Sequence, residues 1–203
     1  NLTISGVIKI QKAFLVDNNG NKWIGFLTIG GNGNAGLVKY NNSTWTLYNQ
    51  ASNPAFPSNL VTSLAKDNSG NIWIGTKDVG LVKFDGINFT TYNVANGLPS
   101  NVINSLETIG NQIYIATDFG LSRFDGVAFT NYNVANGSLP SDTITCIKSE
   151  NVNKIWLGGL NSLVEFNVNG TSTSFINHLI PQTEFQPGIF YNTGNINCIY
   201  IDS

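Results

Sequence analysis

Few residues in this chain could do chemistry. Its one histidine, His178, is followed by Pro181 and Pro187 and is expected in an irregular connection facing solvent. A general base needs a group to orient it and a proton within reach. With a single His, no Ser–His–Asp arrangement can be assembled. Asp17-Asn-Asn-Gly20 and Asp67-Asn-Ser-Gly70 look like half of a calcium loop but lack the downstream Glu. Asp at the first position and Gly at the fourth instead fit a type I turn. No His, Cys or acidic cluster has metal-ligand spacing, so neither a metal nor a cofactor is expected. Paired carboxylates could converge only through the fold; nothing in the sequence points to them, and a non-enzymatic role is expected.

Aromatic residues are the other chemical resource, because their faces can stack on a sugar. Trp23, Trp73, Tyr114 and Trp156, however, fall at one position of a pattern that recurs every 40–50 residues or so. A position shared by every unit is most simply packing between units. The pattern is clearest in Asp67-Asn-Ser-Gly-Asn-Ile-Trp-Ile-Gly-Thr76 followed by Gly80-Leu81-Val-Lys-Phe84-Asp85-Gly86. It returns as Asp17 to Gly25, as Gly110 to Thr117, and as Lys154 to Gly158.

Each unit reads as four short strands divided by turn signals, with no helical period. In the second unit these are Leu60–Lys66, Asn71–Thr76, Leu81–Phe84 and Ile87–Tyr92, with Asp85-Gly86 as a two-residue hairpin signal. Strand content at this period predicts an all-β propeller of about four blades. The units run over approximately 7–59, 60–101, 102–143 and 144–195, with 196–203 matching the first strand of a fifth. The first unit carries a Gly-rich insertion, Phe26–Ala35, between its second and third strands. A module whose apolar face needs three more strands is not expected to stop at its first. The chain, which also lacks any Met, is therefore expected to be a piece of a larger propeller. The competing expectation is that the last strand completes an earlier blade and closes a ring.

The residue that precedes the apolar anchor of strand one is small in every unit: Ala13, Ser63, Ser105, Cys146 and Cys198. Inner strands converge near an axis where room is short. The two cysteines occupy equivalent places in neighbouring blades, expected to be too far apart for a disulfide. They are expected to be buried thiols acting as small apolar groups.

Charged residues make up 11% of the chain and the net charge is −2. Nucleic-acid binding needs clustered Lys and Arg, and the 10 here are scattered. No apolar run approaches the roughly 20 residues of a membrane span, and Asn1-Leu-Thr-Ile is no signal peptide. At 41% hydrophobic residues the chain is too apolar for disorder.

Binding is expected on irregular elements. Turns between strands two and three lie at the same end of each blade as the connections from strand four to the next strand one. That end collects Asn34, Lys77, Asp78, Asn101, Asp118, Phe119, Ser141 and Asp142 as candidate ligand-binding residues.

The Asp-x-x-Gly turn, the Trp-Ile-Gly-Thr strand, Gly80-Leu81, the aromatic Phe84 and a closing strand with Phe89 and Tyr92 resemble the two-component regulator propeller repeat. The second unit matches nearly throughout, the third departs at Tyr114 and Ala116, and the first and fourth match in part. The resemblance implies a propeller with more blades than this chain supplies, in the periplasm, at the cell surface or secreted, in Bacteroidetes-type bacteria. It implies recognition or sensing, as in the sensor domains of hybrid histidine kinases, with an oligosaccharide or a protein as partner. Other domains or blades of the same protein would be neighbours. Two alternatives stay open: a secreted or surface-anchored propeller in envelope assembly, type IX secretion or adhesion, and the scaffold of a polysaccharide lyase or hydrolase.

Overall fold

The sequence folds into four antiparallel sheets of four strands, each a simple up-and-down meander. This computed structural model describes residues 8–29, 36–160, 162–169, 172–179, 196–197 and 199–201. The first sheet holds β1 (Ile8–Val16), β2 (Lys22–Ile29), β3 (Leu37–Tyr40) and β4 (Trp45–Tyr48). The second holds β5 (Val61–Lys66), β6 (Ile72–Thr76), β7 (Leu81–Phe84) and β8 (Phe89–Tyr92). The third holds β9 (Ile103–Ile109), β10 (Gln112–Thr117), β11 (Gly120–Phe124) and β12 (Phe129–Tyr132). The fourth holds β13 (Ile144–Asn151), β14 (Lys154–Gly159), β15 (Ser162–Asn169) and β16 (Ser172–Leu179).

The expected all-β architecture is therefore present, and the innermost strands pack in succession, β1 on β5, β5 on β9 and β9 on β13. The core is not one mass but a layer between each pair of sheets. Trp23 and Leu37 of the first sheet meet Ile72, Ile74, Val82 and Phe84 of the second. Trp73 and Leu81, on the other face of the second sheet, meet Ile113, Ile115 and Phe124 of the third. Because side chains alternate across a strand, both faces of β6 are covered and all five of its residues are buried. Stacked aromatics recur at one register position, Phe84 on Phe89 and Phe124 on Phe129, each pair with ring centroids 4.5 Å apart.

The closest contacts are near the inner edge. Ser63 pairs with Gly75 across β5 and β6, just after a β-bulge between Val61 and Ser63. A Cβ at Gly75 would fall on Ser63 Oγ and 2.7 Å from Ile103 Cγ2 of the next sheet. The bare glycine is thus the hole that receives the neighbour's β-branched residue. Gly25 receives Val61 in the same way, and Gly158 receives Ile196.

Three expectations are corrected. Asp85-Gly86 is not a two-residue hairpin: Phe84 pairs with Phe89, leaving a four-residue loop. The Asp85 carboxylate accepts from the backbone N–H of Ile87 and Asn88, and the Asp85 N–H donates to Asn88 O at 3.2 Å, which closes the loop. His178 does not lie in an irregular connection but in β16, opposite Leu163. Leu163 faces it as Leu81 faces Tyr92 and Leu121 faces Tyr132, so His178 sits at the ordinary closing position of a fourth strand, while the ladder is lengthened at the hairpin, Asn167–Asn169 against Ser172–Ser174. Phe26 to Ile29 belong to β2 rather than to an inserted loop, because β1 continues down to Ile8 and pairs with them. The rest of the Gly-rich stretch, Asn34 included, lies outside the described residues. One helical turn also occurs, Val94–Asn96, capped by Asn93.

Candidate functional site

The second and third sheets each send two kinds of segment to one end of the fold: the turn between their second and third strands, and the connection leaving their fourth. These segments bond to each other. Lys77 donates its N–H to Leu60 O at 3.0 Å, Gly80 to Asn101 O at 3.0 Å, and Gly120 to Asp142 O at 2.7 Å. The connections are anchored by a buried apolar residue, Phe56, Leu98 or Leu139. Hence the loop end is a built surface rather than a set of loose tips.

The residues singled out at this end divide by their bonding. Asn101 Oδ1 accepts from Val94 N–H at 3.0 Å, and Asp142 Oδ1 accepts from Val134 N–H at 2.7 Å. Both side chains pin the return connection of their own unit. Asp78 accepts from the hydroxyl of Ser58 at 2.5 Å. Asp118 accepts from Asn104 Nδ2 at 2.8 Å, and so ties the turn after β10 to the inner strand β9. Lys77 is exposed, Ser141 half-buried, and Phe119 is 62% exposed although its N–H is held by Thr117 Oγ1. Lys77 and Phe119 are the residues of this set that the described bonding leaves presented outward.

The repeated aromatics sit elsewhere, between sheets. Trp23, Trp73 and Tyr114 are 2%, 4% and 1% exposed. Lys39 and Lys83 reach over the first two indoles at 5.1 and 5.8 Å, in cation–π geometry. Trp156 is half-buried and faces His178, with ring centroids 5.4 Å apart. His178 occupies the register position of Tyr48, Tyr92 and Tyr132, each of which pairs with the equivalent leucine. Glu165 lies 4.0 Å from His178 Nε2 and 3.5 Å from Lys154 Nζ. A hydrogen bond from Asn167, followed by the positive charge of Lys154, holds its carboxyl below the usual range.

The carboxylates of Asp17 and Asp67 are structural. Asp67 accepts from Ser69 N–H, Asn71 N–H, Asn71 Nδ2 and Trp73 Nε1 at 2.7–3.0 Å. Asp17 repeats the set with Asn19, Asn21 and Trp23. Burial raises the pKa of each group, but the hydrogen bonds together outweigh it and leave both lowered. Four donors fill the coordination of one carboxylate, which leaves little for a cation.

Inner-edge bulges were not anticipated from the sequence. Lys12, Thr62, Asn104 and Thr145 each stand at the register shift of their first strand. Thr62 Oγ1 donates to Ile103 O at 2.6 Å, Asn104 Nδ2 to Ile144 O at 2.9 Å, and Thr145 Oγ1 to Ile196 O. Each bond crosses from one unit to the next. The signal available in sequence was the recurrence of a polar residue directly before the small one that precedes each apolar anchor. Cys146 is buried, with its sulfur 3.4 Å from Ile196 O; Cys198 lies outside the described residues. Among the described residues, no group of three His, Cys, Asp or Glu is placed to hold a metal, and no helix is long and apolar enough to cross a membrane.

Residues 55–78 match the family model described as two component regulator propeller. The extracellular domain of the hybrid two component system BT3049 from B. thetaiotaomicron superposes on 94% of this chain with a TM-score of 0.72, at 19% identity and over 26% of its own length. That of BT4673 from the same organism superposes on 82% with a TM-score of 0.52, at 19% identity and over 27% of its own length. This chain thus spans about a quarter of the length of these structures. No curated protein matches. At such identities the likeness is one of fold. Over residues 55–78 the chain is similar to the two component regulator propeller, and its four sheets share the fold of these extracellular domains.

Proposed function

We propose that the chain is part of an extracytoplasmic propeller, four blades and the inner strand of a fifth, that recognises a partner at its loop end and performs no catalysis. The observation that carries this reading is the contrast between frame and rim. Inside, the units repeat one another down to single hydrogen bonds. At the loop end they differ: Lys77-Asp78-Val79 in the second unit stands where Asp118-Phe119 stands in the third. Variation among the loop tips of a repeated scaffold is how a site is grafted on a fold. An exposed phenyl ring and an exposed ammonium group at one end of the fold suit a protein surface or an oligosaccharide. The solved domains that resemble this chain are described as extracellular domains of hybrid two component systems, which supports sensing outside the cytoplasm.

The test is binding of the purified chain to a glycan array and to periplasmic proteins of its source cell. Lys77→Ala and Phe119→Ala should abolish the signal. Ile87→Ser and Val127→Ser, at exposed tips of the opposite end, should leave it intact. No binding, or binding lost equally in both pairs, would sink the reading.

A further inference from the structure

The inner strands and the segment beginning at Ile196 converge on a cavity of about 260 Å³. The bulged residues Lys12, Thr62, Asn104 and Thr145 line it, together with Asn197, which follows Ile196 as Thr145 follows Ile144. Hydrogen-bond accounting decides what these side chains can still offer. The hydroxyl hydrogen of Thr62 is given to Ile103 O, and that of Thr145 to the carbonyls of Gly158 and Ile196. Asn104 spends its amide hydrogens on Ile144 O and on Asp118 Oδ1. A hydroxyl has one hydrogen and two lone pairs, and a carboxamide oxygen has two lone pairs. Thr62, Asn104 and Thr145 therefore keep acceptors and no donors. Lys12, which is exposed, is the one charged side chain among the described lining residues. The Asp118 carboxylate stands behind Asn104, bonded to it, and does not line the cavity.

We propose that this cavity binds a small polyhydroxylated carboxylate, its hydroxyls donating to Thr62, Asn104 and Thr145 and its carboxylate paired with Lys12. The complementarity is of charge and of hydrogen-bond direction together. A cation would meet Lys12, and an apolar molecule would strand the acceptors without partners. A cavity of this size lies just below the range of drug-sized sites, so it takes one compact molecule. The bond between Asn104 and Asp118 connects it to the turn after β10, at the loop end. The inference deepens the recognition reading and rests on it in treating that end as the binding end.

The test is a titration of the ¹⁵N-labelled chain with sodium gluconate and, separately, with sorbitol, its uncharged counterpart. Gluconate should give saturable shifts clustered at Lys12, Thr62, Asn104 and Thr145. Sorbitol should bind at least tenfold more weakly. Lys12→Gln, at an exposed position that leaves the fold intact by circular dichroism, should weaken gluconate at least fivefold. Lys66→Gln, outside the cavity and bonded only to the exposed side chain of Asn18 in the described structure, should not. No saturable shift, equal affinity for the two probes, or an unchanged affinity in Lys12→Gln would overturn the proposal. Loop-end capture of a macromolecular partner without any gluconate shift overturns this inference alone. Gluconate binding without a loop-end partner overturns the macromolecular reading and upholds this one.

Discussion

The indole N–H of Trp73 donates to Oδ2 of Asp67 at 2.9 Å, so the turn that opens one hairpin also fixes the ring that seals one sheet against the next. The same relationship holds for Trp23 and Asp17 at 2.8 Å and for Trp156 and Glu150 at 2.7 Å. In the third sheet the turn from Ile109 to Gln112 has no acid and the ring is a tyrosine, whose hydroxyl donates to Gln112 instead. Ring and acceptor change together within one chain, which is what a physical coupling between them requires.

Removing that acceptor should be costly. Asp67→Ala deprives one buried indole and three other donors of their partner. At about 1–3 kcal/mol for a buried donor left unsatisfied, the loss in urea unfolding should be about 2–3 kcal/mol. A double-mutant cycle with Trp73→Phe should show a coupling of at least about 0.5 kcal/mol. Additive effects would mean that the bond is incidental.

Acid should weaken the fold through the same groups. The folded-state pKa values of Asp17 and Asp67 are lowered, so their contribution is complete above the unfolded value and is lost as pH falls through the folded one. Urea midpoints should be level near neutrality and drop below the ordinary aspartate pKa of 3.8. Asp17→Asn with Asp67→Asn should flatten that drop; an unchanged slope would assign the acid sensitivity to other carboxylates.

Gly75→Ala should destabilise by about 1–3 kcal/mol, the usual cost of overpacking. Its new methyl meets Ser63 and the Ile103 side chain of the next sheet. At the equivalent position the third sheet already carries Ala116, fully buried, so Ala116→Gly should cost about 1 kcal/mol through lost packing and added chain entropy. Thermal melts of the two variants decide it.

Ile196 fills the space over Gly158, and its carbonyl accepts from Thr145. Ile196→Asp should release the segment that follows. Amide exchange at residues 196–201 should then approach that of an unprotected chain, while exchange in β5 to β8 stays slow. Protection that persists at 199–201 would show that Ile196 does not dock this segment.

The sequence by itself determined the architecture, because a repeated pattern of period-2 strands and Gly-containing turns has few ways to bury its apolar faces. The turn at Asp67, the strand Ile72–Thr76 and the hairpin frame were legible because each depends on neighbours a few residues away. Tertiary structure alone decided what crosses between units. The bond from Thr62 to Ile103 spans 41 residues, and that from Asn104 to Ile144 spans 40. No local rule states which carbonyl a threonine will meet at that distance. The bulge that aims these side chains inward is a register shift, invisible until two strands pair. His178 was misplaced for a related reason: its place is set by the register of β16 on β15, which puts it opposite Leu163. Among the loop-end residues, type and exposure could be guessed, but only the fold showed that Asn101 and Asp142 are spent on their own backbone while Lys77 and Phe119 remain outward.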